Sequence, residues 1–365
     1  MLLFIDSHHF VEFFLVNSTL FFIFYAVSYD GSVLYSQPTL IKPAISSSVF
    51  SLIIMACAKV LCGALPCSLF FSTLAGSSFF TLLFEALLLF SCILVLLVTK
   101  DFLNFRGIYR YEYAVFFSFS VFGLLLLVSA NDFLTVYLAI ELQGLCFYLL
   151  ATFQRESEFS AEAGLKYFIL GSFSSGLLLF GFLLLYLSSG TTSLECLAKT
   201  LTTVSSSTLV SFLGLFFVVV SLFFKVGAAP FHMWLCDVYE GCLTSVSALF
   251  ATTPKIALFS ILFKLYLGVF YGYLELSAPF FMFCGALSVL FSAVGGLYQK
   301  RVKRLIAYSA ISHTGFVLLG LLPACAEAAS SCFIYVTAYV LTSFSIFSVL
   351  ILVGVNKKAP KYLIN

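Results

Sequence analysis

Long apolar segments constrain the fold of this chain more than any other feature. Segments of about 20 apolar residues, the length that crosses a bilayer as a helix, follow one another along most of its 365 residues. The chain is 62% hydrophobic and 9% charged, whereas about 25% of residues are charged in average soluble domains. This composition excludes a soluble fold and predicts an all-α polytopic membrane protein.

Eleven transmembrane helices are predicted. The two longest polar stretches, residues 29–45 and 188–205, are rich in Ser and Thr and are interpreted as connectors. Residues 1–365 are therefore expected to form a single transmembrane domain. The predicted helices cover residues 10–28, 46–65, 76–99, 111–130, 133–153, 162–187, 206–236, 245–268, 276–298, 302–321 and 330–355.

The basic residues predict the orientation of these helices. Loops that follow even-numbered helices carry only Lys199. The positive-inside rule therefore places the other loops and the C-terminus in the matrix or cytoplasm. The basic residues on that side are Lys42, Lys100, Arg106, Arg110, Arg155, Lys300, Arg301, Lys303, Arg304, Lys357, Lys358 and Lys361.

The N-terminal segment and the overall charge bear on location and partners. Residues 1–10 have no basic n-region, no cleavage site and no Arg-rich character, so no import signal is predicted. Together with the 46 Phe residues, this favours an organelle-encoded protein, with a bacterial protein as the alternative. The formal net charge of +2 gives no reason to expect nucleic-acid binding.

Several ionisable residues lie inside apolar segments, where each charge costs about 2.5–3.5 kcal/mol on insertion scales. For Lys59, Glu85 and Lys264, an interfacial or helix-packing role is favoured. For four other ionisable residues a functional role is favoured. They include both acidic and basic side chains, so they can form ion pairs or line a hydrated path. These four are Glu141, Lys166, Lys225 and Lys255.

The surroundings of three of these residues predict a proton relay. Glu141 lies about 13 Å along its helix from the polar start at Asp132, which is near the membrane midplane. Lys225 precedes a Gly and a Pro that predict a broken helix, and Lys255 follows a proline directly. Burial disfavours a charged lysine and a nearby carboxylate favours it, so making or breaking an ion pair can load or release a proton.

Four ordered motifs give the chain a family resemblance. It resembles the subunit 2/subunit N family of respiratory complex I, within the wider group of cation/proton antiporter-like subunits. The similar region extends from about residue 76 to 355. The motifs are residues 162–171, 225–241, 254–256 and 303–316.

The resemblance implies an antiporter-like fold with inverted repeats. Residues 1–110 would hold helices 1–3, residues 111–268 the first repeat of helices 4–8, and residues 276–355 helices 9–11 of an incomplete second repeat. Family members continue to about fourteen helices. A separately encoded fragment supplying helices 12–14 is therefore expected; the alternatives are a shortened channel that neighbouring subunits complete and a channel that no longer pumps.

The resemblance also implies roles for single residues. Glu141 would pair with Lys225 on the broken seventh helix, Lys166 would tune that pair, and Lys255 would continue a central hydrophilic axis with His313 near it. The chain would bind no cofactor, since NADH, FMN, iron–sulfur clusters and quinone belong to other subunits of the proton-translocating NADH:ubiquinone reductase. Expected partners are chains 4 and 4L of the membrane arm and lipids.

Two other functions stay open at this stage. A stand-alone antiporter that exchanges Na⁺ or K⁺ for H⁺ would use the same Glu and Lys residues. A structural spacer of the membrane arm would retain the charges without pumping. Proton yield in assembled variants of Glu141 or Lys225 separates the pump from the spacer.

Overall fold

The structure, a computed structural model, describes residues 7–30, 41–61, 79–106, 108, 110–203 and 209–355. Every regular element in these ranges is a helix, apart from an isolated bridge between Asp132 and Ser193. The α-helices are α1 (Ser7–Asp30), α2 (Ile41–Leu61), α3 (Phe79–Arg106), α4 (Glu112–Ser129), α5 (Phe133–Ala151), α6 (Glu158–Ser189), α7 (Leu194–Thr203), α8 (Leu209–Val226), α9 (Met233–Gly241), α10 (Thr244–Leu267), α11 (Leu274–Leu297), α12 (Val302–Leu321) and α13 (Ala326–Val355). A 3-10 helix, Val269–Tyr273, joins α10 to α11.

The predicted polytopic all-α fold is confirmed. Within the described ranges, nine helices are long and apolar enough to cross a membrane: α3 to α6, α8 and α10 to α13. The first two predicted spans correspond to α1 and α2. The three C-terminal lysines that contributed to the predicted orientation lie outside the described residues. The division into repeats stays a prediction.

One predicted connector is partly helical. Residues 188–205 were expected to be a plain loop, but α7 lies within them and packs on the 3-10 helix. Leu194 and Leu197 are buried, Leu197 completely. These two leucines at a spacing of three residues form one apolar face, which the surrounding Ser and Thr residues obscure in the sequence.

Helix α10 forms the centre of the bundle. Nearly all of its residues are buried, because α3, α4, α8, α9, α12 and α13 all contact it. Its two lysines, Lys255 and Lys264, are only 3% and 5% exposed. The most enclosed helix of the described bundle therefore carries two ionisable side chains, neither of which faces lipid.

Glycines permit the close approach of α6 and α8. A Cβ atom added at Gly181 of α6 would lie 2.8 Å from Val218 Cγ2 and 2.9 Å from the Gly214 carbonyl oxygen of α8. Small residues at such crossings are a general means of packing helices in membranes. The contact holds α8 against α6.

Substitution of Gly181 by Val should therefore destabilise the bundle. Overpacking of this kind costs about 1–3 kcal/mol, so we expect the chain to dissociate from detergent-solubilised complexes at a lower temperature. Gly176→Val is the matched control, because a Cβ atom at Gly176 on the same helix meets nothing within 4 Å. Equal dissociation temperatures for the two variants would contradict the expectation.

Candidate proton-relay site

The predicted broken helix is present between α8 and α9. Gly227 follows α8 with φ +83°, a conformation that favours glycine, and the side chain of Leu235 leaves no room for a Cβ atom there. The indole N–H of Trp234 donates a hydrogen bond of 2.9 Å to the Phe224 carbonyl, so the protein itself satisfies a carbonyl group at the break. Irregular backbone at membrane depth requires such internal partners.

Lys225 occupies the last turn of α8, at this break. Its Nζ atom donates to the Gly171 carbonyl of α6 at 3.2 Å. Glu141 of α5 is its electrostatic neighbour. However, the ion pairs found within 4.0 Å among the described residues do not include one between Glu141 and Lys225. The Oε1 atom of Glu141 is buried without a hydrogen-bond partner. The predicted pair is therefore close enough to interact by charge without direct contact.

Lys255 lies midway along α10 and is buried. Its Nζ atom donates to the Ala310 carbonyl of α12 at 3.1 Å and lies 4.9 Å from the centre of the Tyr339 ring of α13. A carbonyl oxygen and an aromatic face both favour the charged form. Lys255 therefore contacts both of the last two described helices.

Pro254, next to Lys255, also has a structural effect. A proline has no N–H, so it leaves the carbonyl of the residue four positions earlier without its helical donor. That residue is Phe250, and its carbonyl accepts a hydrogen bond of 3.1 Å from the Tyr239 hydroxyl of α9. The short helix α9 therefore supplies the hydrogen-bond donor that Pro254 removes from α10, the helix that carries Lys255.

A single cavity connects the two lysines. The volume that the centre of a water molecule can occupy in this cavity is about 20 Å³. About 10–15 Å³ measured in this way is enough for one water molecule. Gln143 also lines it, with a buried Oε1 atom that has no hydrogen-bond partner. Two lysine side chains and one unpaired amide oxygen thus line one water-sized space whose other walls are mostly apolar. Its walls further include Tyr167, Trp234, Tyr239, Phe250 and Pro254.

His313 lies beside Lys255 but outside the lining of this cavity. Its Nδ1 atom and the Tyr335 hydroxyl are 2.8 Å apart. Its ring centre is 5.1 Å from that of Tyr339, the ring over which Lys255 lies. The histidine is therefore positioned near the axis, with one ring nitrogen held by a tyrosine.

Lys166 lies elsewhere, in what we call the basic-end network: Glu162, Lys166, Asp237, Glu240, Arg301 and Arg304. Its Nζ atom is 2.8 Å from Glu162 and 2.9 Å from Asp237. Arg304 also pairs with Asp237 at 2.9 Å, and Glu240 contacts both arginines. Within the described bundle, no ion pair joins Lys166 to Glu141, so any tuning of the Glu141–Lys225 pair acts over a distance.

The sequence reading missed this network. Its signal is charge spacing: the carboxylates on α9 and the arginines at the start of α12 are each three residues apart, which places each pair on one helix face. The network surrounds a polar cavity of about 110 Å³. It joins the start of α6, the short helix α9 and the start of α12 at what we call the basic end of the bundle.

Further ionisable groups are buried at the other end. Glu85 of α3 and Lys264 of α10, which the sequence assigned to packing, lie there together with Glu12 of α1, a residue that the sequence reading did not single out. The side chain of Lys59 lies outside the described residues.

Comparisons with known proteins identify the family of this chain. Residues 130–365 match the family described as NADH:quinone oxidoreductase/Mrp antiporter, TM. Subunit N 1 of the NADH-quinone oxidoreductase of Acidiphilium cryptum is 41% identical over 301 residues, which are 82% of this chain and 63% of that one. Chain 2 of the NADH-ubiquinone oxidoreductase of Marchantia polymorpha is 36% identical over 95% of this chain and 72% of its own.

The fold also has a solved counterpart. A chain in the structure of respiratory complex I from Thermus thermophilus superposes with a TM-score of 0.70 at 24% identity, over 97% of this chain and 72% of that chain. At this identity the likeness shows the fold alone. This chain thus spans from 63% to 72% of the length of these relatives. The matched profile and the two relatives show that the chain belongs to the NADH:quinone oxidoreductase/Mrp antiporter family of membrane subunits, and within it to the group of subunit N and chain 2 of complex I.

Proposed function

We propose that this chain carries protons across the membrane as the subunit 2 component of a proton-translocating NADH:quinone oxidoreductase. The observation that carries the proposal is the cavity shared by Lys225 and Lys255, with Glu141 beside the first of them. The redox chemistry takes place in other subunits, which bind NADH, FMN, iron–sulfur clusters and quinone. This chain contributes the ionisable side chains whose protonation changes in response to that redox chemistry.

The relay works through the Glu141–Lys225 interaction. While Glu141 is ionised, its charge stabilises the ammonium form of Lys225 in a medium that otherwise disfavours it. Protonation of Glu141 removes that support. The Lys225 proton then moves through the shared cavity to Lys255, which accepts it as a neutral amine after its own proton has left towards His313. One water molecule between the two lysines is sufficient for the transfer, and the cavity that they line with Gln143 has room for one.

Two further residues act on this axis in the proposal. His313, beside the Tyr339 ring that Lys255 overlies, passes protons beyond Lys255. Lys166 tunes the Glu141–Lys225 pair from the basic-end network through its ion pair with Asp237. Asp237 lies on α9, directly after the helix break, so the network holds the segment that positions Lys225.

The location follows from the same assignment. We propose a multi-pass protein of the mitochondrial inner membrane whose basic end and C-terminus face the matrix. Its neighbours are chains 4 and 4L of the membrane arm and lipids. The 36% identity to the chain 2 of Marchantia polymorpha supports this location. The 41% identity to the bacterial subunit N 1 makes a bacterial plasma membrane the alternative.

The remaining helices of the fold are proposed to pack against α11 and α13. Both helices present exposed apolar side chains over much of their length, including Leu290 and Val294 on α11 and Ile334 and Leu352 on α13. The matched region covers 63% and 72% of the length of the two relatives, so both are longer than this chain's match to them. We propose that a separately encoded fragment supplies helices 12–14 and covers this face.

Native electrophoresis of the source membranes in mild detergent, with mass spectrometry of the band that contains this chain, tests these assignments together. We expect co-migration with NADH-oxidising subunits and with chains 4 and 4L. We also expect peptides of a second polypeptide that corresponds to helices 12–14. The same band cut from membranes treated with a harsher detergent serves as the control for non-specific association.

Two outcomes would contradict the proposal. Migration with antiporter-like subunits alone, without any NADH-oxidising partner, would replace it by a cation/proton exchanger. Peptides that run continuously from this chain into helices 12–14 would show one longer polypeptide and remove the separate fragment.

A further inference from the structure

Two tyrosines on the last described helix lie beside Lys255 and His313 of the proposed relay. Tyr335 and Tyr339 of α13 are four residues apart, which places them on the same helix face. The Tyr335 hydroxyl is 2.8 Å from His313 Nδ1, and Lys255 Nζ lies 4.9 Å from the centre of the Tyr339 ring. One face of α13 therefore contacts both basic groups.

The hydroxyl of Tyr339 is bound to the helix that carries Lys255. It donates a hydrogen bond of 2.9 Å to the Ala251 carbonyl of α10, four residues before Lys255. Tyr339 is buried, and α10 and α13 pack directly against each other. A backbone carbonyl accepts a hydrogen bond but has no proton to pass on. This hydroxyl is therefore an anchor for the ring and not a step in a chain of proton transfers.

The anchored ring occupies one side of the Lys255 ammonium, which has three N–H donors. The Ala310 carbonyl accepts from Nζ at 3.1 Å, and the Tyr339 ring lies within about 6 Å, the range of a cation–π contact. Lys255 also lines the shared cavity. The carbonyl and the ring thus support the charged amine while its remaining side is open to a water molecule in the cavity.

The strength of the ring contact depends on the charge of Lys255. The quadrupole of an aromatic ring attracts an ammonium and not a neutral amine, and in a desolvated setting this contact shifts an equilibrium by about tenfold or more. An apolar medium disfavours the ammonium. Without the ring, Lys255 would therefore be neutral for a larger part of the time and would retain an arriving proton less well.

The same ring also lies against His313. The two ring centres are 5.1 Å apart and the ring planes are inclined by 49°, which is ordinary contact between aromatic rings. Tyr339 therefore contacts both groups of the transfer that the proposed function places beyond the cavity.

We propose that Tyr339 is a positioning residue of the proton relay. Its ring face holds Lys255 in the ammonium form at the shared cavity, and its hydroxyl keeps the ring in place. The role in transport rests on the proposed function: without the ring, the proton that leaves Lys225 is not retained at Lys255, and fewer protons are translocated. The position of the Lys255 side chain, which the ring fixes, does not depend on transport.

Two substitutions of Tyr339 separate its ring from its hydroxyl. Tyr339→Leu removes the ring face and keeps an apolar side chain, whereas Tyr339→Phe keeps the ring and removes only the hydroxyl. Electron cryo-microscopy of the purified, assembled complex should show the Lys255 side chain displaced in Tyr339→Leu and in its original place in Tyr339→Phe. The number of protons translocated per NADH oxidised in sealed vesicles should fall in Tyr339→Leu towards the yield of Lys225→Met, while Tyr339→Phe retains most of the wild-type yield.

Tyr266→Leu is the matched control. Tyr266 of α10 is fully buried, and its hydroxyl contacts the Leu322 carbonyl at 3.5 Å. The cation–π contacts found among the described residues involve the rings of Phe102 and Tyr339 and not that of Tyr266. Tyr266→Leu should therefore lower the thermal stability of the chain, as Tyr339→Leu does, but leave the proton yield of the assembled complex unchanged.

An undisplaced Lys255 side chain in Tyr339→Leu would overturn the positioning contact. Equal losses of proton yield in Tyr339→Leu and Tyr339→Phe would also overturn it, because the hydroxyl and not the ring face would then be responsible. A normal yield in Tyr339→Leu, while Lys225→Met has a low one, would overturn the role in transport. If the proposed function itself fails, Lys225→Met has a normal yield and Lys255 is still displaced in Tyr339→Leu.

Discussion

Lys225→Met should stop proton transport through this chain while leaving it in the assembled complex. Met has a similar length and no charge, so the packing at the end of α8 is kept. The contact of the amine with the Gly171 carbonyl and its charge interaction with Glu141 are lost. With no amine to receive and release the proton, transfer to the shared cavity ends.

The measurement is the number of protons translocated per NADH oxidised in sealed vesicles, alongside the amount of assembled complex. Lys225→Arg keeps a positive charge that does not release its proton, and we expect it to lower the yield as well. Lys300→Met removes an exposed lysine and should change neither quantity. The double variant Glu141→Gln, Lys225→Met should assemble as well as the wild type, because it leaves no unpaired charge. A normal proton yield in assembled Lys225→Met would support a structural spacer.

The fold could be predicted from the sequence almost completely. A bilayer requires long apolar helices, so hydropathy alone located ten of the eleven predicted spans as continuous helices and Gly227 with Pro230 located the break in the other. The exception, α7, is short and carries many Ser and Thr residues, and its burial depends on a contact with the distant 3-10 helix. Hydropathy cannot reveal a contact of that kind.

The candidate site was predicted in part. Glu141, Lys225 and Lys255 were identified because charges are costly in apolar segments, and the structure brings the two lysines to one cavity. The same criterion placed Lys166 with them, yet this lysine pairs with Asp237 in the basic-end network. The free-energy cost of a charge in an apolar segment identifies the residue but not its partner. The partner depends on how each helix is rotated and on residues far along the chain.

The buried ionisable groups at the end of the bundle opposite the basic-end network show the same limit. Lys264 lies near a helix end and was assigned an interfacial or helix-packing role. Its Nζ atom binds carbonyls of α4, which matches the packing alternative but could not be assigned to that helix from the sequence. Glu12 lies in the first predicted helix, close to its start, where a polar residue raises no suspicion. Only the packing of α1, α4 and α10 places these groups beside Glu85.

Arg304→Glu should break the docking of α9 and lower the thermal stability of the assembled chain. Arg304 pairs with Asp237 and contacts Glu240, so the reversed charge would face two carboxylates on α9. Glu240 is only 16% exposed, which limits the screening of this repulsion by water. Because α9 follows the break directly, its displacement should also move Trp234 away from the Phe224 carbonyl and disturb Lys225. We therefore expect a lower dissociation temperature and a lower proton yield together.

Neutralisation of the two carboxylates provides the decisive control. Asp237→Asn with Glu240→Gln removes the repulsion, so the triple variant should regain much of the stability that Arg304→Glu loses. The expected coupling is about 0.5–3 kcal/mol, as is typical of residues within one charge network. Arg155→Glu reverses an exposed charge at the same end of the bundle and should have little effect. If Arg304→Glu and Arg155→Glu destabilise the chain equally, the general loss of positive charge at the basic end is responsible. A selective loss with rescue means that the ion pairs on α9 hold the broken helix in the position that Lys225 requires.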